Sequence, residues 1–251
     1  MSAAQAFLAA LSPLDGPRMI ERSMKVTAER VIDGRLLVSA PRRALLPGAK
    51  RTFTRICEAL GAPDITPLAA HLPRAAEVHF GFQPAGDAAA PIYKAYLEFA
   101  EDMPVEALRF MALKWSGNRI ARTLYLDRTD LSGPARADLI AEVVPRGPVR
   151  EVLSDLMHHA ARVAPLTELP LLLVEEEGSA RRSVDLNLAD LEMLAEDAAD
   201  IIAPLFPDGQ LSAQLRGHRI GHIAAGTDGS GVPFATIYYG ARPMLGHTAR
   251  L

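Results

Sequence analysis

Five times along its 251 residues the chain sets two alternating apolar–polar runs next to each other with a turn between them. Alternation with period two marks half-buried strands, and adjacent runs joined by tight turns pair antiparallel. The first pair is MKVTAERVIDGRLLVSA, with its turn expected at Asp33-Gly34. AEVHFGF and PIYKAYLEF follow around the loop 84–91, then ALRFMALKW and RIARTLYLD around Ser116-Gly117-Asn118. LPLLLVEEE and RRSVDLNL flank Gly178-Ser179, and HRIGHIAAG and VPFATIYYG close the chain around Thr227-Asp228-Gly229-Ser230. Ten antiparallel strands leave exposed edges unless the sheet closes or splits.

Helical stretches separate most of these pairs. One lies at the N-terminus; one falls within 42–61, its start delayed by Pro47 and its end set by Gly61. Two more fill 134–163, broken around Pro145–Pro148, and ADLEMLAEDAADIIA, 189–203, carries an amphipathic pattern. Helices placed regularly between hairpins cover one face of the sheet only. The expected fold is therefore α+β, a single domain over residues 1–251. In it an antiparallel β-barrel of about ten strands has its helices outside and its polar strand face lining a chamber wide enough for a ligand. An open sheet would instead turn that polar face to water.

Composition narrows the function. A hydrophobic share of 49% supports a substantial core. A net charge of −3 argues against a nucleic-acid partner. No apolar run approaches the ~18 residues of a membrane span, and the N-terminus lacks the basic start of a signal peptide, so the expectation is a cytoplasmic protein without a membrane partner. Cys57 is the only cysteine, which removes disulfides and cysteine-based zinc sites, and its helical context reads as core.

Parity then sorts the strand residues. In IYKAYLEF, Tyr93, Ala95, Leu97 and Phe99 share one face, and Lys94, Tyr96 and Glu98 the other. Lys94 is one of only four lysines against twenty-three arginines. The same test turns Glu77, His79 and Gly81 inward; Arg119, Thr123, Tyr125 and Asp127 inward; and Ser183, Asp185 and Asn187 inward, with Arg181 beside them. In ALRFMALKW it turns Leu108, Phe110 and Ala112 toward the helices and Arg109, Met111 and Leu113 inward, leaving Lys114 outward unless the strand bends near the turn. The last hairpin is ambiguous between its two parities, with Tyr238 among the inward candidates. The inner face thus gathers cations and phenols, Lys94, Arg109, Arg181, Tyr96, Tyr125 and Tyr238, with the carboxylates of Glu77, Glu98 and Asp185. Cations and hydroxyls together bind phosphate through charge-assisted donors, and phenol rings can face a carbocation at ~1–2 kcal/mol when desolvated.

Lys94-Ala-Tyr96, the ending GHIAAGTDGSGVPFATIYYG and the strand SVDLN together resemble the ABBA-type aromatic prenyltransferases, whose PT barrel repeats ααββ units. The resemblance implies a bound isoprenoid diphosphate and an aromatic small molecule as partners. It also implies transfer of the isoprenyl group to the aromatic acceptor by Friedel–Crafts alkylation inside the barrel. Lys94, Tyr96, Arg109, Lys114, Tyr125, Arg181 and Tyr238 would hold the diphosphate and screen the allyl cation. Glu77 would position or deprotonate the acceptor, and Tyr96 would act with it in catalysis. The inward acids stand on different strands, so no cofactor is expected, although some enzymes of this type use Mg²⁺. The alternative from a different class is a non-catalytic small-molecule binding or cofactor-assembly protein using the same chamber.

Two further motifs are read as structural. Glu196, Asp197 and Asp200 imitate a diphosphate–metal acid cluster but lie opposite the apolar stripe of their expected helix, as a solvated face does. Gly226–Gly231, rich in glycine, lacks the Lys-Ser/Thr of a phosphate loop and joins two strands, so it is a hairpin turn.

Overall fold

The computed structural model describes residues 1–86, 90–100 and 107–244. Ten strands run β1 (Arg18–Val26), β2 (Val31–Pro41), β3 (Ala75–Gln83), β4 (Ile92–Phe99), β5 (Leu108–Ser116), β6 (Arg119–Asp127), β7 (Leu171–Glu176), β8 (Arg182–Asn187), β9 (Ile220–Thr227) and β10 (Pro233–Met244). Each neighbours its sequence partners and β1 meets β10, which closes the barrel. Closure removes both sheet edges, the problem that ten antiparallel strands pose. The helices are α1 (Ala3–Ala10), α2 (Ala49–Ala59), α3 (Thr66–Ala69), α4 (Gly133–Val143), α5 (Pro148–Ala160) and α6 (Ala199–Ile202). Among the described residues none is long and apolar enough to cross a membrane.

The chain packs as two compact units. The first comprises Met1–Arg22, Gly34–Leu124 and the chain from Ala241 on; the second comprises Ser23–Asp33 and Tyr125–Gly240. In the first, the outer faces of β3, β4 and β5 pack against the N-terminal helices. Phe7 of α1 stacks on Phe82 at 5.5 Å, Phe53 of α2 meets Phe80 at 5.7 Å, and the Trp115 indole donates to the Leu60 carbonyl at the end of α2 at 2.9 Å. Cys57 belongs to this core; burial pushes its thiol far above the ordinary range, which makes it inert.

The second unit has its own apolar core beneath α4 and α5, including Ile140, Leu153, Leu156, Leu171, Leu186 and Ile237. Arg136 of α4 is fully buried there. Its guanidinium donates to the carbonyls of Leu131, Leu169, Thr129 and Leu166, tying three loop segments to one side chain.

Three expectations are corrected. The first hairpin turns at Thr27–Arg30, where the Thr27 amide donates to the Arg30 carbonyl at 2.9 Å and the Thr27 hydroxyl bridges the same residue. Gly34, at φ +70°, instead lies inside β2. A glycine with positive φ serves a strand irregularity as readily as a turn. Second, 189–203 is not one helix. Backbone bonds from Ile220 to Met193 and from Ala195 to His218 pull 193–195 into strand-like pairing, and only Ala199–Ile202 closes an α-turn. Glu196 and Asp197 there accept from the amides of Gly217 and Leu194, so these acids serve as local caps. Third, Ile120 of β6, which the parity of Arg119, Thr123 and Tyr125 places with Leu124 and Leu126 on the side expected to meet helices, is 42% exposed.

Candidate functional site

Register decides which side chains meet. On β3 and β4 the pairs are Glu77↔Glu98, His79↔Tyr96 and Gly81↔Lys94, and all six turn away from the buried set Val78, Phe80, Ala95 and Leu97. On β2, Ser39 pairs His79 and Leu37 pairs Gly81. On β5, Lys94↔Lys114, Tyr96↔Ala112 and Glu98↔Phe110 share that same inner face. The parity assigned to β5 from the sequence is therefore reversed. Met111, Leu113 and Trp115 pair with Leu97, Ala95 and Tyr93 on the helix side, while Phe110, Ala112 and Lys114 turn inward. Both faces of ALRFMALKW are apolar, so alternation alone could not choose; the Trp115 bond to Leu60 fixes the choice.

Two lysines consequently face each other across one ladder rung, where opposing Cβ atoms stand roughly 4.5–5.5 Å apart. Like charges in that position destabilise a bare sheet. Gly81 makes room beside them: a Cβ on it would touch Lys94 Cβ at 3.4 Å and the Tyr96 ring at 3.5 Å. Arg35, buried on β2, has the parity of Leu37 and Ser39 and so adds a third cation to this inner face. The sequence reading missed it because Asp33-Gly34 was taken as the turn. The Leu36, Val38, Ala40 alternation was the available signal.

One rung beyond Tyr96 lies a hydrogen-bonded network. Glu98 Oε1 accepts from Arg109 at 3.0 Å, Glu98 Oε2 lies 3.1 Å from His79 Nε2, and His79 Nδ1 lies 2.7 Å from Ser39 Oγ. Burial pushes the Glu98 carboxyl up, but the bonds and charges of His79 and Arg109 outweigh it and hold the group below the usual range. Arg109 thus reaches the inner network from the opposite parity, past the last ladder pair at Phe110. Glu77, His79 and Glu98 can each offer one ligand atom within 4.8 Å of the others. The expectation of scattered acids is thereby corrected for Glu77 and Glu98. His79 and Glu98 are already bonded to Ser39, Arg109 and each other, so a cation would have to displace the His79–Glu98 contact.

The remaining sequence-assigned residues belong to the second unit. Arg181 pairs with Glu176 at 3.8 Å and lies over the Phe234 ring at 5.6 Å, and Lys25 lies 4.4 Å from the same ring. Tyr238 pairs with His222 on β9 and stacks on it at 3.7 Å, and His222 Nδ1 lies 2.7 Å from Asp185. Tyr125 of β6 is half-buried there. The His222–Asp185 pair went unread because the last hairpin's parity was ambiguous.

No family model and no curated protein matches the chain in sequence. Solved structures do match in fold. The chain superposes on AnaPT from Neosartorya fischeri with a TM-score of 0.52 at 12% identity, covering 88% of this chain and 77% of that one. It superposes on 5-dimethylallyltryptophan synthase from Streptomyces coelicolor at 0.56 and 14%, covering 88% and 80%. The NotF prenyltransferase gives 0.53 and 12% over the same shares, and another NotF structure contains brevianamide F and DMSPP. The chain has the fold of the aromatic prenyltransferases. Its closed ten-stranded order, five sequential hairpins and outer helices are those of that barrel, as the Lys94-Ala-Tyr96 resemblance implied.

Proposed function

We propose that the chain is a prenyltransferase-like enzyme that moves an isoprenyl group from an isoprenoid diphosphate to a small aromatic acceptor. The observation that carries this reading is the Lys94–Lys114 rung, with Tyr96 and Arg35 on the same face, inside a prenyltransferase barrel. The ammonium groups take the charge that develops on the departing diphosphate, and side-chain cations do this without a divalent ion. The Tyr96 ring, 9% exposed, screens the allyl cation from water. Glu77, opposite Glu98, accepts a hydrogen bond from the acceptor and receives its proton. Arg109 supports that acid through Glu98. The chain works as one cytoplasmic domain.

The tightness of the first unit's inner face favours a second reading, a non-catalytic small-molecule binder: Ala112 is 1% exposed and His79 8%. One experiment separates the two. Thermal shift against inorganic pyrophosphate, dimethylallyl and geranyl diphosphates and aromatic acids is run with and without EDTA, followed by mass spectrometry of mixed incubations. Stabilisation by diphosphates of about 2.7 kcal/mol at a hundredfold excess over Kd, in EDTA, together with a prenylated product, supports the transferase. Binding without product, or a response to aromatic acids with none to any diphosphate, supports the binder, and absence of any response defeats both.

A further inference from the structure

The transfer chemistry proposed above leaves Ser39 unused. Ser39, His79 and Glu98 come from three neighbouring strands, β2, β3 and β4, and the ladder fixes them: Ser39 pairs His79, and Glu98 sits two residues beyond Tyr96, the other partner of His79. The hydroxyl lies 2.7 Å from Nδ1, the carboxylate 3.1 Å from Nε2, and Arg109 anchors the far carboxylate oxygen at 3.0 Å. An ionised Glu98 can only accept, so Nε2 of the imidazole carries a hydrogen and donates it. In the neutral ring Nδ1 then holds a lone pair, and Ser39 donates its hydroxyl hydrogen to it. A nucleophile bonded to a base, with the base held in one tautomer by a carboxylate, is the arrangement that activates serine on unrelated folds.

We propose that Ser39 is an activated nucleophile, with His79 as its general base and Glu98 as the positioning residue, and that it cleaves esters carrying an anionic group. Ser39 Oγ bonds to the ester carbonyl carbon as its proton passes to His79 Nδ1. The bond to the leaving alcohol breaks, and that oxygen takes the proton from His79. Water then attacks the acyl carbon and gives a proton to His79, the acyl–Oγ bond breaks, and the proton returns to Ser39. One acid and one alcohol leave. The anionic group is set by the adjacent rung: Leu37, Gly81, Lys94 and Lys114 lie two residues along their strands from Ser39, His79, Tyr96 and Ala112. Two residues span roughly 6.6–6.8 Å, the separation of an ester and a carboxylate placed across a benzene ring.

This activity needs neither diphosphate nor acceptor and stands apart from isoprenyl transfer. The test is labelling by a fluorophosphonate probe, located by peptide mass spectrometry, beside hydrolysis of 4-acetoxybenzoate and phenyl acetate. A single adduct on Ser39 is expected. Ser39→Ala removes it, and His79→Asn slows its formation by about a hundredfold or more. 4-Acetoxybenzoate is cleaved faster than phenyl acetate, and Lys94→Ala erases that preference. Wild-type protein left unlabelled at Ser39 beside a labelled control hydrolase overturns the proposal, whatever becomes of the variants' folding. So does labelling at an unchanged rate in folded His79→Asn, and equal cleavage of the two esters overturns the assigned ligand class. Labelling without isoprenyl transfer refutes the transferase reading alone; transfer without labelling refutes this one alone.

Discussion

If one diphosphate sits between Lys94 and Lys114, removing either ammonium should cost binding and spare the fold. The two residues are direct ladder partners on the inner face, so both flexible stems can bring their charges to a single phosphate oxygen cluster. A unit charge about 4 Å from another is worth about 4 kcal/mol at an effective dielectric of 20, before desolvation is subtracted. Truncating one side of such a desolvated pair costs about 2–4 kcal/mol, or about 30- to 900-fold in Kd. Isothermal titration with pyrophosphate and dimethylallyl diphosphate on wild type, Lys94→Ala, Lys114→Ala and the double variant measures each loss and their coupling. The losses should be non-additive by about 0.5 kcal/mol or more, since both groups grip one ligand. Folding stability without ligand should stay within about 0.5 kcal/mol, because neither lysine lies on the helix-packed face. A Kd unchanged within twofold in either single variant, or two strictly additive losses, refutes a shared grip.

Two other consequences concern the scaffold. Glu98, with its folded pKa held below the ordinary 4.5, contributes stability that is present above that value and is lost as pH falls through the lower folded one. Wild-type stability from urea unfolding should therefore fall as pH drops below the ordinary carboxylate range, and Glu98→Gln should flatten that slope; identical slopes count against the network. Arg136→Met leaves four carbonyls, one of them buried, without their charged donor and should cost about 3 kcal/mol or more, lowering Tm by roughly 6–12 °C in calorimetry. A Tm within 2 °C of wild type, roughly 0.5–1 kcal/mol, shows that these loops find other partners.

The architecture was legible because it rests on local signals. Five alternating pairs with turn residues between them and four helix-bearing intervals suffice for ten sequential antiparallel strands, and closure follows from the cost of bare edges. Lys94, Tyr96 and Glu98 were assigned to the correct face because their strand has one polar and one apolar side. ALRFMALKW has no such contrast, and its inner and outer residues were exchanged. Asp33-Gly34 has the composition of a hairpin turn, yet the Thr27 hydroxyl closes the turn six residues earlier and the glycine kinks the strand, which hid Arg35.

Parity assigns a residue to a face, but chemistry depends on who stands opposite, and that is a matter of register between strands far apart in sequence. Glu77 and Glu98 read as acids on separate strands; the β3–β4 register makes them one rung. Ser39 and His79 are forty residues apart and carry no shared motif, but the β2–β3 register brings them within 2.7 Å. Register is set by the sum of core contacts on the opposite face, Val38 with Phe80, Phe80 with Ala95, and Leu113 with Ala95, none of which bears a functional atom. A one-residue slip of β4 would turn Lys94 to the helices and Leu97 to the inner face, so the apolar packing of its neighbour β3, Phe53 on Phe80 and Phe7 on Phe82, holds the lysine rung in place.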